Sequence, residues 1–251
     1  MFKLFKSKRP YVPLDYERRK YFEQNLLWLC HEFPEPELKD RKQLTPTPED
    51  FPITWDGSEQ SAFAALEIIC QQMQLDRSKV NLEFYANPES ETNMGGTPIF
   101  LQSAPDSVNA SGMYSESETG TYDVALDRSL LSRPEDLIAV IAHELCHAKL
   151  LGELDLEVND EMLTDFGTVF YGLGIFNANA AFRFHQGSDR WGYNRTGYLT
   201  LDEWAYALAL FAFIRFEDDP QWIKYLSKTV TGDFKKCLRY LLENEEEIFK
   251  V

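Results

Sequence analysis

The chain has 251 residues, 44% of them hydrophobic and 26% charged, with a formal net charge of −16. That length is enough to bury a sizeable core, and the excess of carboxylates argues against nucleic-acid phosphate as a partner, because phosphate binding needs concentrated Lys and Arg. No run of about twenty apolar residues occurs, so no membrane span is expected.

The basic opening Met1 to Pro10 lacks the apolar segment of a secretory signal and reads as a solvated tail. A first helix is expected from about Tyr16 to Phe33, with Phe22, Leu26, Leu29 and Phe33 recurring at helical spacing. Residues 34–57 are rich in Pro and acidic groups and read as a loop crossing the surface. A second helix follows from about Ser58 to Leu75, with Phe63, Leu66, Cys70 and Met73 on one face. Between Val80 and Leu126 the period shifts towards strands, at Val80–Tyr85, Ile99–Leu101 and Tyr122–Leu126, with Gly and Pro between them.

The next segment is the best specified. Ser132 and Glu135 have capping-box spacing, Pro134 suits a first turn, and the apolar run Leu137 to Ala142 leads to Gly152 as a stop, which predicts a helix from about Arg133 to Leu151. Being apolar almost all round, it should be buried. A further helical run opens at Asp160 and continues through Leu163, Phe166, Val169, Phe170 and Leu173. Glycines 167, 172 and 174 cost helix propensity and point to close packing on the preceding helix. Ala180 to Tyr198 reads as a loop; Thr200 and Glu203 cap a helix over Leu201–Phe216, Pro220–Ser227 forms another, and Asp233–Phe249 ends the chain as an acidic surface helix. The four cysteines, at 30, 70, 146 and 237, show no C-x-x-C spacing and read as reduced, buried thiols of a cytoplasmic protein.

Inside the best-specified helix stands His143-Glu144-Leu145-Cys146-His147. Residues four apart on a helix lie about 5–6 Å from one another on one face, so both imidazoles can reach one metal ion while Glu144 sits beside it as a general base. Cys146 points off that face. A catalytic zinc takes three protein ligands and leaves one position open. The metzincin continuation would need Gly at 150 and His at 153, where this chain has Leu150 and Glu153. Glu161 and Asp165 share a face of the following helix and are the better candidates; Glu153, Asp155 and Glu157 in the intervening turn are rivals, though a ligand on a helix is held more rigidly than one on a loop.

Over positions 134–176 these two motifs resemble the gluzincin metallopeptidases, the thermolysin-like zinc endopeptidases and their relatives. In that group the second helix carries a Glu ligand, followed four residues later by an Asp that orients a ligand His. The resemblance implies an α+β, zincin-like fold, a small sheet packed on a helical core, with zinc held by His143, His147 and Glu161 and with Asp165 accepting a ring N–H of His143. Glu161 follows His147 by 14 positions, a shorter connection than in thermolysin. The same stretch is similar to a set of uncharacterised bacterial zincin-like proteins. Gluzincins also place a His, Tyr or Arg near the metal to hold an oxyanion, for which His185 is the first candidate here and Tyr198 and Arg195 the next.

The expectation is one domain over 1–251: an N-terminal helix and surface loop (1–57), a catalytic core (58–199) and C-terminal helices (200–251). Its activity would be zinc-dependent hydrolysis of a protein or peptide, with Glu144 as base. The rival is a zinc-stabilised interaction or regulatory protein whose site is retained without turnover. Retention of Glu144 argues against that, since a structural site needs no base. A deformylase-type amidase is disfavoured because Gly95-Gly96 lacks an accompanying Cys ligand.

Overall fold

The computed structural model describes residues 11–86, 112–117, 120–187 and 199–250, leaving out the side chains of 183–187. Its first helix, α1 (Tyr16–Glu32), starts where the Asp15 carboxylate accepts the Arg18 N–H at 2.8 Å, and it buries Phe22, Leu26 and Leu29. Helix α2 (Glu59–Met73) starts at Ser58, whose hydroxyl accepts the Ser61 N–H, and ends at Gln74 in the left-handed conformation with φ 54°. Both agree with the apolar spacing of the sequence to within two residues.

Three strands form one sheet among the described residues, β1 (Val80–Tyr85), β2 (Gly112–Glu116) and β3 (Tyr122–Asp127), in the order β1-β3-β2. β1 runs parallel to β3 from Val80 opposite Tyr122, and β2 runs antiparallel to β3 from Gly112 opposite Leu126. The central strand buries Tyr122, Val124 and Leu126, the alternation expected of a sheet with one face on the core. β2 is absent from the sequence expectation, because Gly-Met-Tyr-Ser-Glu carries no alternating branched apolar residues. The expected strand at Ile99–Leu101 lies outside the described residues.

Helix α3 (Pro134–His147) carries the motif, with two corrections to its expected ends. The Ser132–Glu135 capping box does not form. Residues Arg128–Ser132 already make a 3-10 turn, in which the Ser132 hydroxyl donates to the Ser129 carbonyl at 2.9 Å, and Arg133 takes the cap position without a side-chain bond. At the other end the chain does not stop before Gly152 but widens into a π turn over Ala148–Glu153, closed by Leu154 N–H to the Lys149 carbonyl at 3.3 Å. Gly152 is a close-packing position: a Cβ there would lie 2.3 Å from Cε1 of Tyr122 on β3.

Helix α4 (Glu161–Phe170) is capped by Asp160, which accepts the Met162 and Leu163 N–H groups at 3.0 and 3.1 Å. Helix α5 (Gly174–Gly187) runs through the region expected to be a loop from Ala180. Its asparagines weaken intrinsic helix preference, but tertiary bonds use them. Asn177 donates to the Ala139 carbonyl on α3, and Asn179 donates to the Tyr225 carbonyl while accepting the Ser227 N–H.

Helix α6 (Leu201–Ile214) opens with Glu203 reaching back to the Thr200 N–H at 2.8 Å and is buried continuously from Glu203 to Ala212. Pro220–Ser227 holds a 3-10 turn over Gln221–Tyr225 in place of the expected helix. The last helix, α7 (Lys228–Glu243), starts a turn before the expected Asp233 because Ser227 caps it, and it stops at Glu243. It is amphipathic, burying Val230, Phe234, Cys237, Leu238 and Leu241, and it packs along α6.

The result is a helix-rich α+β arrangement of seven α-helices and a small sheet among the described residues, with α3 at its centre against α2, α4, α5 and β2. Among these residues no helix is long and apolar enough to cross a membrane. All four cysteines are free; three are buried, and Cys30 is half-buried.

Candidate metal centre

His143 and His147 project from the last turn of α3 with ring centroids 4.9 Å apart and planes nearly perpendicular at 86°. Glu161, the first residue of α4, faces them across the helix pair, its Oε2 lying 3.2 Å from His143 Nε2 and 3.4 Å from His147 Nε2. One donor atom from each of the three lies within 4.8 Å of the others. This is the group the sequence pointed to, and among the described residues Glu153, Asp155 and Glu157 do not join it. Glu153 is instead paired with Lys149 inside the π turn.

Each donor is held from behind. Asp165, 1% exposed, accepts His143 Nδ1–H at Oδ1 over 2.9 Å, while its Oδ2 accepts the Leu199 N–H at 3.2 Å. The ring nitrogen turned to the centre is therefore His143 Nε2. Asn159 donates from Nδ2 to Glu161 Oε1 at 2.8 Å, which leaves Oε2 as the oxygen facing the imidazoles. Behind His147 stands the Thr164 hydroxyl, with Oγ1 3.4 Å from Nδ1. On the sheet side the Tyr114 ring of β2 stacks on His147, with centroids 5.8 Å apart and planes 27° apart.

Electrostatics favour a cation at this point. Burial pushes His143 towards the neutral form, but the hydrogen bonds to Asp165 and Glu161 outweigh it and raise its pKa to about 10. Burial likewise opposes ionisation of Glu161, yet the hydrogen bonds from His143 and His147 hold it well below the usual carboxylate range. Two carboxylates thus hold positive charge on the imidazole between them, and a divalent ion satisfies the same field. Two imidazoles and one carboxylate oxygen form a donor set that suits a first-row transition ion.

Glu144 stands beside the cluster and not within it. Its carboxylate is 6% exposed and lies against β2, so closely that a Cβ on Gly112 would sit 2.6 Å from Oε1 and 2.5 Å from Val140 Cγ1. Burial is the main influence raising its pKa, opposed by the charges of His143 and His147. Cys146 faces away, buried against Gly167, where a Cβ would come within 3.1 Å of its Sγ.

His185 falls in the last turn of α5 and not in a loop, and its side chain, with Arg195 and Tyr198, lies outside the described residues. Gly112, Tyr114, Asn159 and Thr164 are site residues that the sequence reading passed over. Thr164 sits three positions after Glu161 and next to Asp165, so a helical wheel drawn for α4 would have placed it on the ligand side. Compared with protein-family models, with curated proteins and with solved structures, the chain matches none.

Proposed function

We propose that the chain is a zinc-dependent metallopeptidase with a zincin-like fold, in which His143, His147 and Glu161 hold the metal and Glu144 is the general base. The observation that carries this is the convergence of three donors within 4.8 Å, with a buried carboxylate beside them that no metal ligation requires. A purely structural zinc site closes its fourth position with a ligand and has no use for Glu144.

Zinc bound there supplies Lewis acidity, polarising a carbonyl and making water a nucleophile near neutral pH. Glu144 takes the proton from the attacking water as the oxygen adds to the peptide carbonyl carbon, holds it while the C–N bond breaks, and delivers it to the departing nitrogen. Burial raises its pKa against the lowering influence of His143 and His147. Asp165 keeps His143 Nδ1–H engaged, so that ring offers only Nε2.

β2 lies at the edge of the described sheet, on the side next to α3. An extended peptide adding to β2 through main-chain hydrogen bonds would run beside Glu144, against which Gly112 packs. The substrate class is therefore an unfolded or extended peptide segment, and the free thiols support a reducing compartment such as the cytoplasm.

The test is hydrolysis of a broad peptide set by wild type and by Glu144→Gln, with zinc content measured in both. The variant is expected to keep fold and zinc while cleavage falls by about 10²–10⁴-fold. A variant that cleaves as fast as wild type contradicts the assigned base; a zinc-loaded wild type that cleaves nothing leaves the interaction-protein reading in its place.

A further inference from the structure

We propose that Tyr21, on a helix that supplies no ligand, is a positioning residue for Glu161, anchoring the ligand-bearing turn of α4 through Asp160. This rests on the zinc-site reading above. Glu161 is the first residue of α4, and the first turn of a helix lacks the intrahelical N–H bonds that hold later residues, so its place depends on what caps and anchors it. Burial supplies little of that hold. Glu161 and Met162 are only half-buried, and the continuous buried stretch of α4 begins at Leu163.

Asp160 makes both connections with its two oxygens. Its Oδ1 accepts the Met162 and Leu163 N–H groups at 3.0 and 3.1 Å, which closes the turn on itself. A cap of that kind is local and does not set where the turn sits against α3. Asp160 Oδ2 accepts the Tyr21 hydroxyl proton at 3.0 Å, across 139 positions of the chain, and this bond ties the turn to α1. The anchor itself is firm, because the neighbouring Phe22 is fully buried and meets Phe166 of α4 edge-on with centroids 5.1 Å apart. Arg18, on the same face of α1, supports the same turn. Its Nη1 lies 3.2 Å from Met162 Sδ and its Nη2 lies 2.7 Å from Glu203 Oε1 in the opening turn of α6. One face of α1 thus braces the starts of α4 and α6, and Leu199, just ahead of α6, donates its N–H to Asp165.

The substitution Tyr21→Phe removes the hydroxyl and keeps the ring in its edge contact with Phe22. Tyr206→Phe is the matched control, since it removes a hydroxyl that donates to a different carboxylate, Glu23, at 3.0 Å. Zinc affinity is measured by chelator competition on folded protein for both variants, and for Tyr21→Phe in an Asp160→Ser background, where serine still caps the helix but is too short to meet Tyr21. Tyr21→Phe is expected to bind zinc about 3–10-fold more weakly, the fold-change of one lost hydrogen bond, with Tyr206→Phe at wild-type affinity and no further loss in the Asp160→Ser background. Wild-type affinity in folded Tyr21→Phe, an equal loss in Tyr206→Phe, or the same loss in the Asp160→Ser background overturns the proposal. Amide exchange of Met162 and Leu163 in the metal-free proteins gives a second readout, expected to quicken in Tyr21→Phe and not in Tyr206→Phe; unchanged exchange in Tyr21→Phe also overturns it. If wild type takes up no zinc, the zinc reading fails separately, and the exchange rates still decide for or against the tether.

Discussion

His143 is the residue on which the charges of the centre meet. In the metal-free protein it holds a proton, its pKa raised to about 10 between Asp165 and Glu161, whereas Glu161 is already ionised because its own pKa is held low. Zinc must displace that proton, so binding releases it and affinity should rise with pH until about pH 10, where His143 becomes neutral unaided. Titration calorimetry in buffers of differing ionisation enthalpy should count about one proton released by His143 at pH 8; zero release contradicts the charge assignment. Replacing Asp165 removes the His143 acceptor, and Asp165→Ala is expected to weaken zinc by about 10–100-fold while Glu161→Ala loses most of it. The reverse ordering in a chelator competition would exchange the two roles.

Among the elements, the motif helix and its partner were legible because their signals are local. His143 and His147 repeat at four, Glu161 and Asp165 repeat at four, and the apolar run fixes which side is buried. The ends of α3 were not legible. Ser132 and Glu135 have the right spacing for a capping box, but the 3-10 turn over Arg128–Ser132 shifts the helix start so that Arg133 stands at the cap position. The π turn at Ala148–Glu153 depends on Gly152 meeting Tyr122, a contact with a strand some thirty positions upstream. Gly152→Ala should accordingly cost about 1–3 kcal/mol by overpacking, read as a lower urea midpoint with unchanged slope; an unchanged midpoint would mean the turn gives way freely. β2 escaped notice for a related reason, since Gly112 marks a close approach to Glu144 and Val140 that only the folded chain reveals. Gly112→Ala is expected to lower peptide cleavage while leaving zinc content intact, because the added methyl displaces the base or the strand and touches no ligand. Full activity in that variant would remove β2 from the substrate path.

At the scale of the molecule, the helical core was readable as amphipathic periodicity, and α6, apolar on every side, required burial by its neighbours. The pairing of β1 with β3 in parallel and the packing of α7 along α6 needed long-range contacts that no local pattern encodes. Phe234 of α7 is fully buried and meets Trp222 edge-on at 5.3 Å, so Phe234→Ala should cost about 3–5 kcal/mol in urea unfolding. A loss below that range would place α7 outside the cooperative core. The proposed metal centre would tie the end of α3 to the start of α4. Zinc at about 100 times its dissociation constant should then stabilise the fold by about 2.7 kcal/mol and raise the melting midpoint by roughly 5–10 °C, reversed by a chelator.

The central claim is that His143, His147 and Glu161 form one zinc site, and elemental analysis of purified, zinc-supplemented protein after gel filtration in metal-free buffer tests it most directly. Wild type should retain about one equivalent of zinc, and folded Glu161→Ala should retain almost none. Near-zero zinc in folded wild type, or a full equivalent in Glu161→Ala, would contradict it.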